Sequence, residues 1–311
     1  TAHGRTDKAW REEHLFPSCY GQHSDGGLKH MDEGAANTKR IPFVKMSGSG
    51  NDFILIDNRR QVVEDSQLNR FIVNVCRRKL SAGADGLILI EPSTAADFKW
   101  RFYNSDASRA EMCGNGARCA ARYAFVNGIA GRELTFETDV GIVSAAIVVD
   151  RVKVRMTDPS EVASNLVLDL VAGSRLMASV NTGVPHVVLE VSDLETTDVC
   201  GIGREIRYHR TFAPAGTNVN FITPLADGAI AVRTYERGVE DETLACGTGS
   251  IAAALVTAVR HGTGSPIQVK TRGGTLLTIH FERRDGRFRD VYLEGDARII
   301  YSGEMWSEAW E

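Results

Sequence analysis

From Phe43 onward the chain repeats itself with an offset of about 133 residues, and a repeat of that length admits few folds other than two copies of one unit. Met46-Ser-Gly-Ser-Gly-Asn-Asp-Phe53 stands 133 residues before Ser179-Val-Asn-Thr-Gly-Val-Pro-His186, setting Gly50 against Gly183. Gly83–Pro92 stands 132 before Ala215–Pro224, and Phe102-Tyr103-Asn104 falls on Thr234-Tyr235-Glu236. Cys113-Gly-Asn-Gly116 then meets Cys246-Gly-Thr-Gly249, and Glu137–Gly141 meets Lys270–Gly274. Individual matches are weak, but their common order specifies an α/β (α+β) fold of two pseudo-symmetric domains.

Within each copy, short β-rich runs bounded by Gly, Pro or Asn predict strands. They are Phe53–Asp57, Leu87–Ile90 and Trp100–Tyr103, then Val187–Val191, Val219–Ile222 and Ile230–Tyr235. Ala117–Asn127 and Ser250–His261 predict helices, each closed by a glycine, Gly128 or Gly262, suited to a left-handed cap. Ile251–Val259 is apolar on nearly every side, so each copy is expected to curl a mixed sheet around a central helix. The expected domains are 41–157 and 158–298, with 299–311 returning to the first. Residues 1–40 are polar and aperiodic and are expected to be a disordered extension, with Met31 an alternative start.

A net charge of −4 gives no basic excess for nucleic acid or a membrane surface, so the expected partner is a small amino-acid ligand. No run is long and apolar enough to span a bilayer, and no secretory pattern opens the chain, which points to the cytoplasm. Six cysteines without CxxC spacing read as free thiols rather than a zinc site or disulfide framework. A homodimer remains open.

Each central helix begins with Cys-Gly-x-Gly. Unpartnered N–H groups and the dipole at a helix start favour an anion, and the glycines let a carboxylate approach the backbone. The same field is expected to lower the thiol pKa. One cysteine so placed is as often an apolar filler as a reactive group. Two at equivalent positions of facing halves put both thiols in one cleft, where one removes an α-proton and the other delivers a proton to the opposite face. Such a pair calls for no metal and no organic cofactor. The substrate carboxylate would sit at Gly114-Asn115 and Gly247-Thr248. Cys19, Cys76, Cys119 and Cys200 read as structural, without a helix-start setting.

Gly50-Asn-Asp-Phe53, Asn104 with Met112–Cys119, Gly183-Val-Pro-His186, Gly216-Thr-Asn-Val219 and Tyr235–Gly238 with Ala245–Gly249 together resemble the diaminopimelate epimerases. The resemblance runs in order from residue 43 to about 303. It implies conversion of LL-diaminopimelate to the meso form, a step toward lysine and bacterial cell wall. By match it assigns Cys113 and Cys246 as the acid–base pair. Asn51, Asn104, Asn218, Glu236 and Arg237 resemble the set that binds the rest of the substrate. His186, with Glu236, would support the thiols. The chain departs from the family at Gly86 and Val184, where many members carry Gln and Asn.

Two other readings compete. A proline or hydroxyproline racemase would use the same thiols, but Glu236-Arg237 offers charges that a small ring cannot answer; the related phenazine-type isomerases lack the thiol pair. A non-catalytic anion or nucleotide module would need the P-loop Lys-Ser/Thr or a Rossmann unit, and neither is present.

Overall fold

The computed structural model describes residues 39–110 and 112–311. The extension expected over 1–40 thus falls, apart from its last two residues, outside the described residues, as does Cys19. The first half runs β1 (Ile41–Gly48), β2 (Asn51–Asp57), α1 (Leu68–Val75), β3 (Gly86–Glu91), β4 (Phe98–Asn104), α2 (Gly114–Val126), β5 (Glu133–Thr138), β6 (Gly141–Val148) and β7 (Arg151–Arg155). The second runs β8 (Ala163–Leu170), β9 (Gly173–Asn181), β10 (Pro185–Glu190), α3 (Val199–Arg207), β11 (Asn218–Pro224), β12 (Ile230–Glu236), β13 (Asp241–Thr243), α4 (Gly247–His261), β14 (Ile267–Lys270), β15 (Leu276–Arg284) and β16 (Arg287–Asp296). A last strand, β17 (Arg298–Met305), follows.

Strand pairing is the same in both halves. β1–β2 is antiparallel, β2–β3 parallel, β3–β4 antiparallel, β4–β5 parallel, and β5–β6–β7 antiparallel. In the second half β9–β10, β10–β11, β11–β12, β12–β14 and β14–β15–β16 repeat that series in the same senses. Registers agree as well: Phe53 faces Gly86 as His186 faces Asn218, and Ile88 faces Phe102 as Asn220 faces Thr234. The halves join where β7 pairs antiparallel with β16, within one compact unit spanning Lys39–Glu311. β8 flanks β9 from within its own half, whereas β1 is flanked by β17, from the far end of the chain.

The central helix α2 and helix α1 cover opposite faces of β2 and β3, which is why these strands are nearly unbroken apolar runs. Phe53 and Leu55 pack toward the central helix α2, while Ile54 and Ile56 join Leu68, Phe71, Ile72 and Val75 of α1. The i, i+3, i+4, i+7 spacing of those four gives α1 one apolar stripe. On β11, Val219 and Phe221 face α3 and Ile222 faces α4. α4 is buried from Gly249 to Ala258, and α2 and α4 touch within a shared core. Gly128 and Gly262 take φ values of +66° and +67°, ending α2 and α4 in the left-handed conformation.

Candidate active site

Cys113 and Cys246 are the N-cap residues of α2 and α4, in extended backbone with φ/ψ of −145°/117° and −116°/114°. The two helix starts meet at a single side chain. A Cβ built on Gly114 would lie 3.2 Å from Leu293 Cδ2, and one built on Gly247 would lie 3.1 Å from the same carbon. No side chain larger than hydrogen fits at either glycine unless this buried leucine gives way. Cys113 acts electrostatically on Cys246, and the Glu236 carboxylate acts on both.

Burial pushes both thiols up. Cys246 reaches about 12, with Glu236 adding to the push and the Thr248 hydroxyl and Gly249 N–H opposing it. For Cys113 the N–H groups of Gly116 and Asn115 and the Arg118 guanidinium oppose burial. The lowering expected from the helix field is therefore outweighed: removing a thiolate from water costs more than the first-turn N–H groups return. Burial likewise raises Glu236.

On the Cys113 side the wall is one chain of polar contacts. Asn51 donates to Asp85 at 2.7 Å and accepts from Asn115 at 3.4 Å. Asn115 Oδ1 accepts from Arg118 Nη2 at 2.9 Å, and the same nitrogen reaches Ser49 Oγ at 2.7 Å. Arg118 also donates to the Asp296 and Gly114 carbonyls, and its side chain is fully buried. Sequence reasoning missed Arg118. The signal was there: a charged residue in the second turn of a helix rich in alanine.

On the Cys246 side, Thr182 donates to the Thr248 carbonyl at 3.2 Å. His186, 1% exposed, is pulled down to about 3 by burial and by the Arg237 charge, so its imidazole is neutral. Asn218 is occupied by the protein itself, donating to the Pro185 carbonyl and accepting from the Arg237 N–H at 2.8 Å. The Arg237 side chain bonds the Ala215 carbonyl rather than forming an ion pair with Glu236. Asn104 is the exposed last residue of β4, where it donates to Ser108. The structure therefore brings together Cys113, Gly114, Asn115, Cys246, Gly247, Thr248 and Glu236, joins Asn51 to them through Asn115, and sets Asn104 on the periphery.

Gly86 leaves no room for a longer residue, since a Cβ there would fall 2.6 Å from the Tyr103 carbonyl oxygen and 2.8 Å from the Phe102 ring. Cys76 and Cys119 are buried, and burial raises each to about 12. Cys200 differs from its structural reading. It occupies the first turn of α3, is exposed, and donates to Asp241 at 3.1 Å, a bond that raises its pKa. Its helix start went unseen because the Gly201 and Gly203 that follow read as loop. Among the described residues no group of three or more His, Cys, Asp or Glu is placed to hold a metal, and no helix is long and apolar enough to cross a membrane.

Two equivalent α/β halves, each wrapped around a central helix, define the architecture of the PhzF/proline racemase-like fold. The solved structure of the Bacillus anthracis phenazine biosynthesis protein of the PhzF family matches it with a TM-score of 0.64 at 16% identity, over 86% of this chain and 99% of that one. The family model described as diaminopimelate epimerase matches residues 43–162 and 178–300, and the chain belongs to that family. The diaminopimelate epimerase of Aquifex aeolicus is 43% identical over 283 residues, covering 87% of this chain and all of that one. That of a Hydrogenobaculum species is 44% identical over 273 residues, or 84% and 97% of the two chains.

Proposed function

We propose that this chain is an isomerase that epimerises LL-2,6-diaminopimelate to the meso form without a cofactor, using Cys113 and Cys246 as its two bases. The observation that carries the reading is the meeting of both Cys-Gly-x-Gly helix starts at Leu293. One thiolate takes the α-proton, and the opposite thiol gives its own proton to the other face of the same carbon. The total charge is unchanged, while the negative charge passes from one sulfur to the other, so the pair is left with its roles exchanged for the return reaction. The first-turn N–H groups at Gly114-Asn115 and Gly247-Thr248 hold the reacting carboxylate and stabilise charge as the carbanion forms. Asn51, Asn104, Asn218, Glu236 and Arg237 bind the distal end, and His186 supports the thiols. Residues 41–157 and 158–298 are the two domains, with 299–311 completing the first. Free thiols suit the reducing cytoplasm, and a homodimer remains compatible.

The test is a panel of α-proton exchange rates in deuterated water. Diaminopimelate should exchange at least about a hundredfold faster than proline, lysine or glutamate, since each competitor leaves a buried charge or polar group unanswered. Proline or lysine exchanging as fast as diaminopimelate would reassign the enzyme to another amino acid.

A further inference from the structure

Beneath the first turn of each central helix the two halves place three side chains at equivalent positions, and the two sets have opposite polarity. In the first half they are Phe53, Ile88 and Phe102, all in the apolar core, with the two rings 5.7 Å apart. In the second half they are His186, Asn220 and Thr234, all buried. The equivalence holds at the helix as well. A Cβ on Gly116 would meet Ile88 Cδ1 at 3.4 Å, whereas one on Gly249 would fall 2.3 Å from Asn220 Oδ1 and 3.2 Å from Cys246 Sγ. The polar set thus lies directly under the Cys246 helix start.

Its hydrogen bonds leave one protonation pattern. The Asn220 amide faces the Val187 carbonyl oxygen at 2.9 Å, and a carbonyl only accepts, so the amide nitrogen must be on that side. Asn220 Oδ1 then takes the Thr234 hydroxyl at 3.0 Å. The same amide nitrogen lies 3.1 Å from His186 Nδ1, which must therefore be the bare, accepting nitrogen. In a neutral ring the proton is then on Nε2, and His186 Nε2 is buried without a hydrogen-bond partner among the described residues. A buried donor left open in this way is costly, and an acceptor brought by a ligand removes the cost.

We propose that Asn220, backed by Thr234, is a positioning residue that holds His186 as a neutral Nε2–H donor for a carboxylate of the bound amino acid. The ligand chemistry rests on the epimerase reading; the tautomer does not. His186 on this account gives a hydrogen bond and takes no proton during turnover.

Histidine-labelled full-length protein, studied by nitrogen NMR, tests both parts. His186 is assigned by the loss of its signals in His186→Gln. Near neutral pH it should show an unprotonated Nδ1 and a protonated Nε2. Imidazolium, or a proton on Nδ1, overturns the proposal. Asn220→Ala should release an Nδ1–H population and lower kcat about 10- to 100-fold, in the range of lost supporting contacts. An unchanged tautomer in that variant also overturns it. Thr234→Val, which keeps the side chain's shape, should show a smaller shift in the same direction and serves if Asn220→Ala does not fold. Saturating diaminopimelate should move the Nε2–H signal. If a sample that turns diaminopimelate over leaves that signal unmoved, the carboxylate is not the acceptor. If the tautomer stands and diaminopimelate is not turned over, it is the epimerase reading that fails.

Discussion

The walls behind Cys113 and Cys246 are built on one backbone plan and differ in where they carry polarity. Behind Cys113 the sheet is apolar and the helix carries a buried cation, Arg118. Behind Cys246 the helix is apolar, with Ile251 at the position matching Arg118, and the sheet carries His186, Asn220 and Thr234. The duplication preserved geometry, which brings the two helix starts together at Leu293. The differences set the electrostatics. Arg118 favours charge on Cys113, while Glu236 ranks second only to burial in disfavouring it on Cys246. The charges around the thiols thus partly offset burial at Cys113 and add to it at Cys246.

The largest effect should come from removing either thiol. Cys113→Ser and Cys246→Ser should each lower epimerisation about 10²- to 10⁴-fold, the usual weight of a general acid or base, with the fold intact by circular dichroism. Each variant should still eliminate halide from a halogenated diaminopimelate analogue through its remaining thiol. Wild-type epimerisation in either variant would end the two-base account.

Next in size is Arg118→Met. It strips donors from Asn115, Ser49 and the Asp296 and Gly114 carbonyls, and leaving such buried acceptors open should cost about 3 kcal/mol. The matching change in the other half, Ile251→Met, should cost less than about 1.5 kcal/mol, as a volume-conserving apolar swap does. Urea unfolding measures both. Iodoacetamide should label Cys113 faster than Cys246 in the wild type, and Arg118→Met should narrow that gap when the peptides are mapped. Equal labelling in the wild type would remove the asymmetry argued from charge.

The smallest effect is in acid. The folded state holds His186 at about 3 against an ordinary 6.5, so the unfolded chain binds the extra proton between those values. Stability from this group is complete above 6.5 and is lost as pH falls toward 3, by about 1.4 kcal/mol per unit. Between pH 7 and 5 the wild type should therefore lose about 2 kcal/mol more than His186→Phe, which copies Phe53 of the other half. Parallel stability curves would show that the histidine is solvated.

The repeat and its helix starts were legible because Cys-Gly-x-Gly at an offset of 133 is a local pattern. The meander strands were not read: β15 hides its alternation, with Leu277, Ile279 and Phe281 inward, behind charged residues at its end. The polar triad was only half legible. Asn220 sits in the apolar run Val219–Ile222 and reads as strand filler, yet the register already placed His186, Asn220 and Thr234 against Phe53, Ile88 and Phe102. Arg118 escaped because burial of a guanidinium depends on Ser49 and Asp296, which are distant in sequence.

The strand that flanks β1 also sets a schedule. On a ribosome β8 emerges before β9, so the second half meets its flanking strand at once. The first half emerges earlier and waits: β1 shows an open edge until Arg298–Met305 arrives to pair with it, and such an edge invites another chain. Trp310 then packs on Phe71 and accepts from Asn74 at 2.8 Å, fastening a segment made after β17 to one made before β3. Nascent chains stalled before β17 should therefore be the ones that chaperones hold, and the half synthesised first is the half that matures last.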